Sequence, residues 1–239
     1  EITKAGFDAV LKATKPGVLE YELEAEFIYH FVKRGSKGFA YGPIVASGAN
    51  ACSLHYTDND KPCKDGDVIL IDVGAEYGNY NADMTRCIPV NGKFTSRQRD
   101  VYNAVLRIMR EASMLLRPGI TLLEYEKKVG LMMEKELIGL GLLKADAVAA
   151  QDPEKPLYKK YFMHGTSHHL GLDVHDLGSK YRVIETGMVF TCEPGIYIPE
   201  EGLGIRLENN FLVTETDPID LMASIPVEAD EIEKLMASN

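Results

Sequence analysis

The sequence predicts an α+β fold of two similar halves, in which helices pack on antiparallel strands. Two repeated motifs predict it. Lys15-Pro16-Gly17-Val18 recurs as Arg117-Pro118-Gly119-Ile120 at an offset of 102 residues (117 − 15), each time between two amphipathic helical patterns. Gly66-x-Val68-x-x-x-Asp72-x-Gly74 recurs as Gly187-x-Val189-x-x-x-Glu193-x-Gly195 at an offset of 121 residues (187 − 66). We therefore expect an internal duplication, with halves at roughly residues 1–115 and 116–239.

Each half is predicted to run from two helices into antiparallel strands, which together form one curved sheet covered by helices. Helical periodicity begins at the first residues, and each Pro-Gly pair ends one helix before carboxylates favour the start of the next. The offset is larger for the second repeated motif than for the first, and a predicted surface loop over Gln151–Pro156 accounts for part of this difference. The further predicted helices and strands are Glu20–Val32, Val68–Val73, Met84–Val90, Asp100–Leu115 and Leu123–Leu140.

Composition excludes several classes of function. The net charge is −10, and the Lys and Arg residues are scattered, so no basic stripe is available for nucleic acid. No apolar run reaches the ~18 residues of a membrane span, and no signal peptide is visible. The four cysteines lack metal-binding spacing, which favours reduced thiols and a cytoplasmic location. Because the chain opens on Glu1 rather than Met, we expect it to be a piece of a longer protein.

Five ionisable residues interrupt apolar runs that have the character of strands: Asp72, Asp83, His168, Glu193 and Glu208. A buried carboxylate is tolerated when it coordinates a metal ion. Four carboxylates and one imidazole carry too much negative charge for one divalent ion and suit two. The sequence therefore predicts a two-metal hydrolase.

Two neighbourhoods give more detail. The 11 residues between Asp72 and Asp83 (83 − 72) suit a hairpin that brings the two acids together. Strand alternation between His164 and His175 places His164 and His168 on one face and His169 and His175 on the other, unless the glycines bend the chain. We expect His169 to lie outside the site, and a core histidine is the alternative for each of the others.

Taken together, the motifs resemble the pita-bread metallopeptidase family, which includes methionine aminopeptidase, prolidase, aminopeptidase P and creatinase. They resemble the aminopeptidase P branch most, and the resemblance extends from the first helix to Glu215. It implies the pita-bread (creatinase/aminopeptidase) fold without the N-terminal domain of relatives, which helps to shape the substrate entrance and oligomer contacts. The matching motifs are Ile71–Tyr77, Ala82–Arg86, Phe162–Asp176, Cys192–Ile198 and Gly204–Glu208.

The resemblance assigns roles to individual residues. Asp72 would chelate one metal, Asp83 and Glu208 would bridge both, and His168 and Glu193 would complete the second. The metals would be Mn²⁺, with Co²⁺ or Zn²⁺ as alternatives. The substrate would meet His55, His164, His175, Tyr197 and Arg206.

Two further assignments carry alternatives or departures. Arg206 is also expected to orient a ligand carboxylate, and an exposed surface arginine is the alternative. His169 stands where many aminopeptidases P carry Trp, and Asn209-Asn210 replaces acids that often follow the last ligand.

The implied activity is hydrolysis of the N-terminal Xaa-Pro bond of peptides with proline in the second position. A hydroxide bridging the two metals would attack the carbonyl, Glu193 would take the water proton, and His164 and His175 would act at the carbonyl. Prolidase, which cuts Xaa-Pro dipeptides, is the alternative within the enzymes, and a non-catalytic peptide-binding module is the alternative from another class. We also expect that the longer protein can form a homodimer, to which the N-terminal domain would contribute contacts.

Overall fold

The structure, a computed structural model, describes residues 1–237. The α-helices in this part of the chain are α1 Ile2–Ala13, α2 Glu20–Lys33, α3 Ser96–Ser113, α4 Leu122–Gly139, α5 Ala145–Ala149 and α6 Ala229–Ala237. The strands are β1 Gly38–Phe39, β2 Ile44–Ser47, β3 Val68–Asp72, β4 Ala75–Tyr77, β5 Tyr80–Asn81, β6 Thr85–Pro89, β7 Val189–Cys192, β8 Gly195–Ile198, β9 Leu203–Arg206, β10 Asn209–Leu212 and β11 Ile219–Asp220. Helices and antiparallel strands thus make up an α+β fold, as predicted.

Helix boundaries follow from capping. Helix α3 begins at Ser96, four residues before the predicted start, because the Thr95 side chain accepts a hydrogen bond from the Gln98 amide and the Gln98 side chain accepts one from the Thr95 amide. Helix α4 begins in the same way with Thr121 and Glu124. These reciprocal capping boxes satisfy backbone N–H groups that the first helical turn leaves unpaired. The residues 151–156 form the predicted loop between α5 and a short 3₁₀-helix.

In the described residues, the predicted antiparallel strands form several small hydrogen-bonded groups. Strand β3 pairs with β2 and β6, and β4 pairs with β1 and β5. Strand β10 pairs with β7 and β11, and β8 pairs with β9. A bridge between Thr85 and Glu208 connects strand β6 of the first half with the residues before β10 of the second.

One order of pairing appears in both halves. In the first half β3 pairs with β6, and the β4–β5 hairpin lies between them in the chain. In the second half β7 pairs with β10, and the β8–β9 hairpin lies between them. Asp72 ends β3, and Glu193 directly follows β7. This order is what a duplication would produce, and the duplication itself stays a prediction.

The turn after β3 requires a glycine. A Cβ atom on Gly74 would lie 1.6 Å from the backbone oxygen of Ala82, so a side chain here would displace the returning chain. This close approach brings the segments that carry Asp72 and Asp83 together, as the predicted hairpin requires. The intervening residues form the short β4–β5 hairpin, where a turn alone was expected. None of the helices in residues 1–237 combines the length and apolar character that a membrane crossing requires.

Candidate metal centre and substrate cavity

A cavity of about 650 Å³ is lined by residues from both halves of the chain. Its size falls within the range of small-molecule binding sites. Nine of the ten predicted site residues line it, and the tenth, Tyr197, does not. Those lining it are His55, Asp72, Asp83, His164, His168, His175, Glu193, Arg206 and Glu208.

The predicted metal ligands lie at or beside strand ends of both halves. Asp72 is the last residue of β3, and Glu208 lies between β9 and β10. Oxygen or nitrogen atoms of Asp83, His168 and Glu208 all lie within 4.8 Å of one another. The Nε2 atom of His168 lies 3.3 Å from Oδ2 of Asp83 and 3.5 Å from Oε1 of Glu193. The structure therefore brings ligand atoms from both halves to one point.

The His168 ring is oriented as a metal ligand. Its Nδ1 lies 2.9 Å from the backbone oxygen of His169, which can only accept, so Nδ1 carries the hydrogen. The Nε2 atom faces Asp83 and Glu193, so the neutral ring would present its lone pair to a cation held between them. A ligating histidine in proteins usually donates its other ring N–H to a carbonyl or carboxylate in this way.

Burial and mutual repulsion make the carboxylate cluster unfavourable on its own. Burial raises the pKa of Glu193 to about 8, although the charges of Arg206 and His168 oppose the shift. Burial, with the charges of Asp83 and Glu193, raises the pKa of Glu208 well above its usual value. The Oε1 atom of Glu208 is buried and lacks a hydrogen-bond partner, while Oε2 accepts a bond of 2.7 Å from Thr85. Unpaired buried anionic oxygens beside an imidazole fit divalent cations.

These pKa shifts predict that metal uptake releases protons. With a pKa of about 8, Glu193 in the metal-free protein is mostly protonated at pH 7, and a coordinating carboxylate must be ionised. Apparent affinity for Mn²⁺ should therefore rise as the pH rises from 6 to 8. Calorimetric titration with Mn²⁺ in buffers of different ionisation enthalpy should show roughly one or more protons released per protein at pH 7. Buffer-independent heats would contradict the pKa assignment.

Tyr41 was not identified from the sequence, yet it contacts two of the predicted ligands. Its hydroxyl oxygen lies 2.5 Å from Oδ1 of Asp72 and 2.5 Å from Oδ1 of Asp83. Asn210 holds the backbone of Asp83 from the other side, since its side chain accepts from the Asp83 amide and donates to the Asp83 carbonyl. The asparagine that departs from the family pattern thus orients a predicted ligand.

Arg206 orients Asp72, and the alternative of an exposed surface arginine is wrong. Arg206 is only 4% exposed. Its Nη2 donates to Oδ2 of Asp72 at 2.5 Å, and its Nε donates to the Thr85 hydroxyl at 3.2 Å. A guanidinium in this position partly neutralises the buried carboxylate and restricts its orientation.

Tyr197 lies behind the cavity wall, so the prediction that it meets the substrate is corrected. The residue is fully buried, and its hydroxyl accepts from Nη1 of Arg206 at 2.8 Å. The same hydroxyl oxygen lies 2.8 Å from Nε2 of His164. The other ring nitrogen of His164, Nδ1, lies 2.7 Å from the Gly165 carbonyl oxygen. The His164 Nδ1 therefore donates and Nε2 accepts from Tyr197. Burial lowers the pKa of His164 to about 3, so the ring is neutral.

This hydrogen bonding leaves His164 without a free ring nitrogen for the substrate, which argues against proton transfer by this residue. His164 contributes the ring itself to the cavity lining. His175, in contrast, is exposed on the cavity and packs against His168, with ring centroids 4.2 Å apart. Of the two histidines expected at the carbonyl, the geometry supports His175.

The segment from His164 to His175 is irregular, so strand alternation does not hold and the stated exception, a bend of the chain at the glycines, applies instead. Residues 171–175 bend back on themselves, with the Gly171 amide donating to the Asp173 carbonyl. His175 consequently lies in the same cavity as His164 and His168. His169 points away from the lining and packs against Phe190 at a ring distance of 4.4 Å. Its expected position outside the site agrees with the geometry.

Arg86 is a second residue that the sequence interpretation missed. It is fully buried, and its guanidinium donates to the backbone carbonyl of Glu208 and to the side chain of Asn209. It thereby supports the backbone at Glu208. A charge inside the apolar run Met84–Val90 was the signal, which is the same signal that identified the carboxylates.

Comparison with known proteins defines the class. Residues 1–215 match the family model described as metallopeptidase family M24. The chain belongs to metallopeptidase family M24, as the sequence motifs predicted.

Individual relatives point to one branch of the family. The chain is 43% identical to the Xaa-Pro aminopeptidase of Escherichia coli and 42% identical to that of Haemophilus influenzae. The first alignment covers 100% of this chain and 56% of the relative, and the second covers 99% and 57%. The chain thus spans little more than half the length of these curated relatives.

Solved structures confirm the pita-bread fold. The chain superposes on proline aminopeptidase P II from Yersinia pestis with a TM-score of 0.92 at 41% identity, covering 100% of this chain and 57% of that one. It superposes equally well, at 42% identity, on aminopeptidase P from E. coli with the inhibitor Pro-Leu, covering 99% and 56%.

Proposed function

We propose that this chain is the catalytic domain of a metal-dependent aminopeptidase that hydrolyses the N-terminal Xaa-Pro bond of peptides. The observation that supports it most is the convergence of four carboxylates and His168 on one cavity. Relatives that are named Xaa-Pro aminopeptidases, at 42–43% identity over nearly the whole chain, support the substrate class.

Two divalent cations would be held by Asp72, Asp83, His168, Glu193 and Glu208. The oxygen-rich set favours a hard ion, so we propose Mn²⁺. The chemistry that such cations supply when bound is acidification of a water molecule toward neutral pH and polarisation of the scissile carbonyl.

Glu193 is the proposed general base. Its side chain is only 19% exposed, and the carboxylate that metal binding ionises can accept a proton from water and return it to the leaving group. His175 would donate a hydrogen bond to the developing oxyanion from the cavity wall. Arg206 and Tyr41 would keep Asp72 and Asp83 in place through the bonds described above.

The proline ring requires an apolar surface, and the cavity provides one. Ile44, Leu54 and Val174 line it together with the ring of His164. The E. coli structure with Pro-Leu, a dipeptide that begins with proline, supports the same ligand class for this chain. We further propose a cytoplasmic location, since the four cysteines are free, and a homodimer in the full-length protein.

Prolidase and a non-catalytic peptide-binding module are the two alternative functions. Prolidase shares the metal chemistry and differs in requiring a free carboxylate directly after proline. A peptide-binding module without catalysis would not need ionisable donors at all five metal positions, so the complete set speaks against it.

Product analysis separates these functions. Protein loaded with Mn²⁺ is incubated with an Xaa-Pro-Yaa tripeptide and with an Xaa-Pro dipeptide, and products are identified by mass spectrometry. We expect the first residue to be released from the tripeptide at least about ten times faster than from the dipeptide. This ratio corresponds to roughly 1.4 kcal/mol of additional transition-state binding for the tripeptide. Cleavage of the dipeptide alone would establish prolidase activity. Binding of Mn²⁺ and tripeptide without cleavage of either would favour the binding module.

A further inference from the structure

Glu20 is a fully buried carboxylate that has no part in the proposed chemistry. It is the first residue of α2, where the helix dipole favours a negative charge. The ammonium group of the nearby Lys61 pairs with Asp60 instead. Neutral donors bind both of its oxygens. A buried carboxylate with this many bonds holds its neighbours firmly, because each donor would be left unsatisfied without it.

The two oxygens of Glu20 bind two different segments. Oε1 accepts from the Ser47 amide at 2.8 Å and from the Asn50 side chain at 3.2 Å. Oε2 accepts from the Tyr56 hydroxyl at 2.7 Å and from the Lys61 amide at 3.0 Å. One oxygen therefore holds the end of β2 and the turn after it, and the other holds the loop of residues 53–61.

Both segments belong to the cavity. Strand β2 pairs with β3, and Ile44 lies opposite Asp72 in that pairing. The loop of residues 53–61 contributes Leu54, His55 and Thr57 to the lining. Tyr56 is mostly buried, whereas its neighbour His55 is exposed on the cavity side. A displacement of Tyr56 would therefore move His55 relative to Asp72.

We propose that Glu20 is a positioning residue for substrate binding: it sets the distance between the loop that carries His55 and the strand paired with Asp72. The inference rests on the proposed function. A second hydrogen bond holds the far end of the loop, because the Asn59 side chain accepts from the Val45 amide. The loop should therefore stay attached when Glu20 is replaced. Loss of Glu20 bonds should thus loosen the loop beside His55 without detaching it.

The test uses Glu20→Gln, Tyr56→Phe and the control Glu22→Gln on the same helix. Glu22 is exposed and accepts from the Leu19 amide, so its substitution alters capping and leaves the loop unchanged. Three quantities are measured on protein loaded with Mn²⁺: KM and kcat for an Xaa-Pro-Yaa tripeptide, and Kd for Pro-Leu by calorimetry. Bound Mn²⁺ and Tm are recorded for every variant.

For Glu20→Gln we expect KM and the Pro-Leu Kd to rise about tenfold, while kcat and bound Mn²⁺ change less than about twofold, because unsatisfied buried donors displace the loop and not the metal ligands. Tyr56→Phe, which removes only the loop-side hydroxyl, should give a rise of about threefold. Glu22→Gln should match the unmodified chain.

A double-mutant comparison with His55→Ala distinguishes positioning from general destabilisation. Glu20→Gln should add little to the KM of the His55→Ala protein, because Glu20 acts through that loop. Full additivity, or a fall in kcat at unchanged KM, would overturn the inference. If Glu20→Gln fails to fold, Tyr56→Phe decides by the same comparison.

The unmodified chain separates the inference from the proposed function. If it binds Pro-Leu without cleaving the tripeptide, the proposed function fails and Kd still tests the inference. If it neither binds Pro-Leu nor cleaves the tripeptide, both fail.

Discussion

Replacing Asp83 by Asn should abolish turnover while the protein remains folded. The Oδ2 atom of Asp83 faces the Nε2 atom of His168, and an oxygen of Asp83 belongs to the tightest cluster of ligand atoms. An amide in this position removes a negative charge and presents an N–H₂ group to a cation. Metal assistance accounts for several kcal/mol of transition-state stabilisation, so we expect kcat to fall on the order of 10³-fold or more.

The fold should survive this change because asparagine has nearly the same size and shape as aspartate and removes one acidic group from a crowded cluster of carboxyl groups. Bound Mn²⁺ is measured by mass spectrometry and the fold by circular dichroism. Asp173→Asn, on the exposed loop beside Val174, makes the same chemical change away from the cluster and should keep full activity. An Asp83→Asn protein with full metal content and full turnover would contradict the assigned ligands.

Replacing Arg206 by Met should destabilise the protein severely. Arg206 is almost fully buried and donates to Asp72, Tyr197 and Thr85. Removing one member of a buried ion pair leaves an uncompensated charge and typically costs about 3–5 kcal/mol. In a chain of this size each kcal/mol lowers Tm by ~2–4 °C, so we expect a fall of about 10 °C in the metal-free protein.

Arg97→Met is the matched control. Arg97 also binds a carboxylate with two nitrogens, since Nε and Nη2 both donate to Glu201, but this pair lies at the surface. Exposed ion pairs contribute about 0–1 kcal/mol, which predicts a change in Tm of no more than ~4 °C. Differential scanning calorimetry of both variants compares the two. An equal, small change for both would mean that Arg206 does not compensate Asp72.

Prediction from sequence succeeded where a single local signal was sufficient. A charge inside an apolar run is costly to bury, and this reasoning identified the carboxylates that the structure gathers around one cavity. It could also have identified Arg86, which lies in the same strand-like run as Asp83. The hairpin between Asp72 and Asp83 followed from their spacing.

The failures concern contacts that depend on tertiary structure. The irregular path of residues 171–175 brings His175 into the cavity, and no periodicity in the sequence indicates that path. Tyr41 lies in a loop 31 residues before Asp72, so its hydrogen bond to that carboxylate has no local signal. The Tyr197 hydroxyl is held by Arg206 and His164, which lie elsewhere in the chain, so its place behind the cavity wall has no local signal either.

The most direct test of a two-metal site is anomalous diffraction from crystals of the chain grown with Mn²⁺. Data collected above and below the manganese absorption edge locate each ion without reference to activity. We predict two anomalous peaks in the central cavity, next to the side chains of Asp83 and Glu208. A single peak, or peaks away from these residues, would contradict the two-metal account.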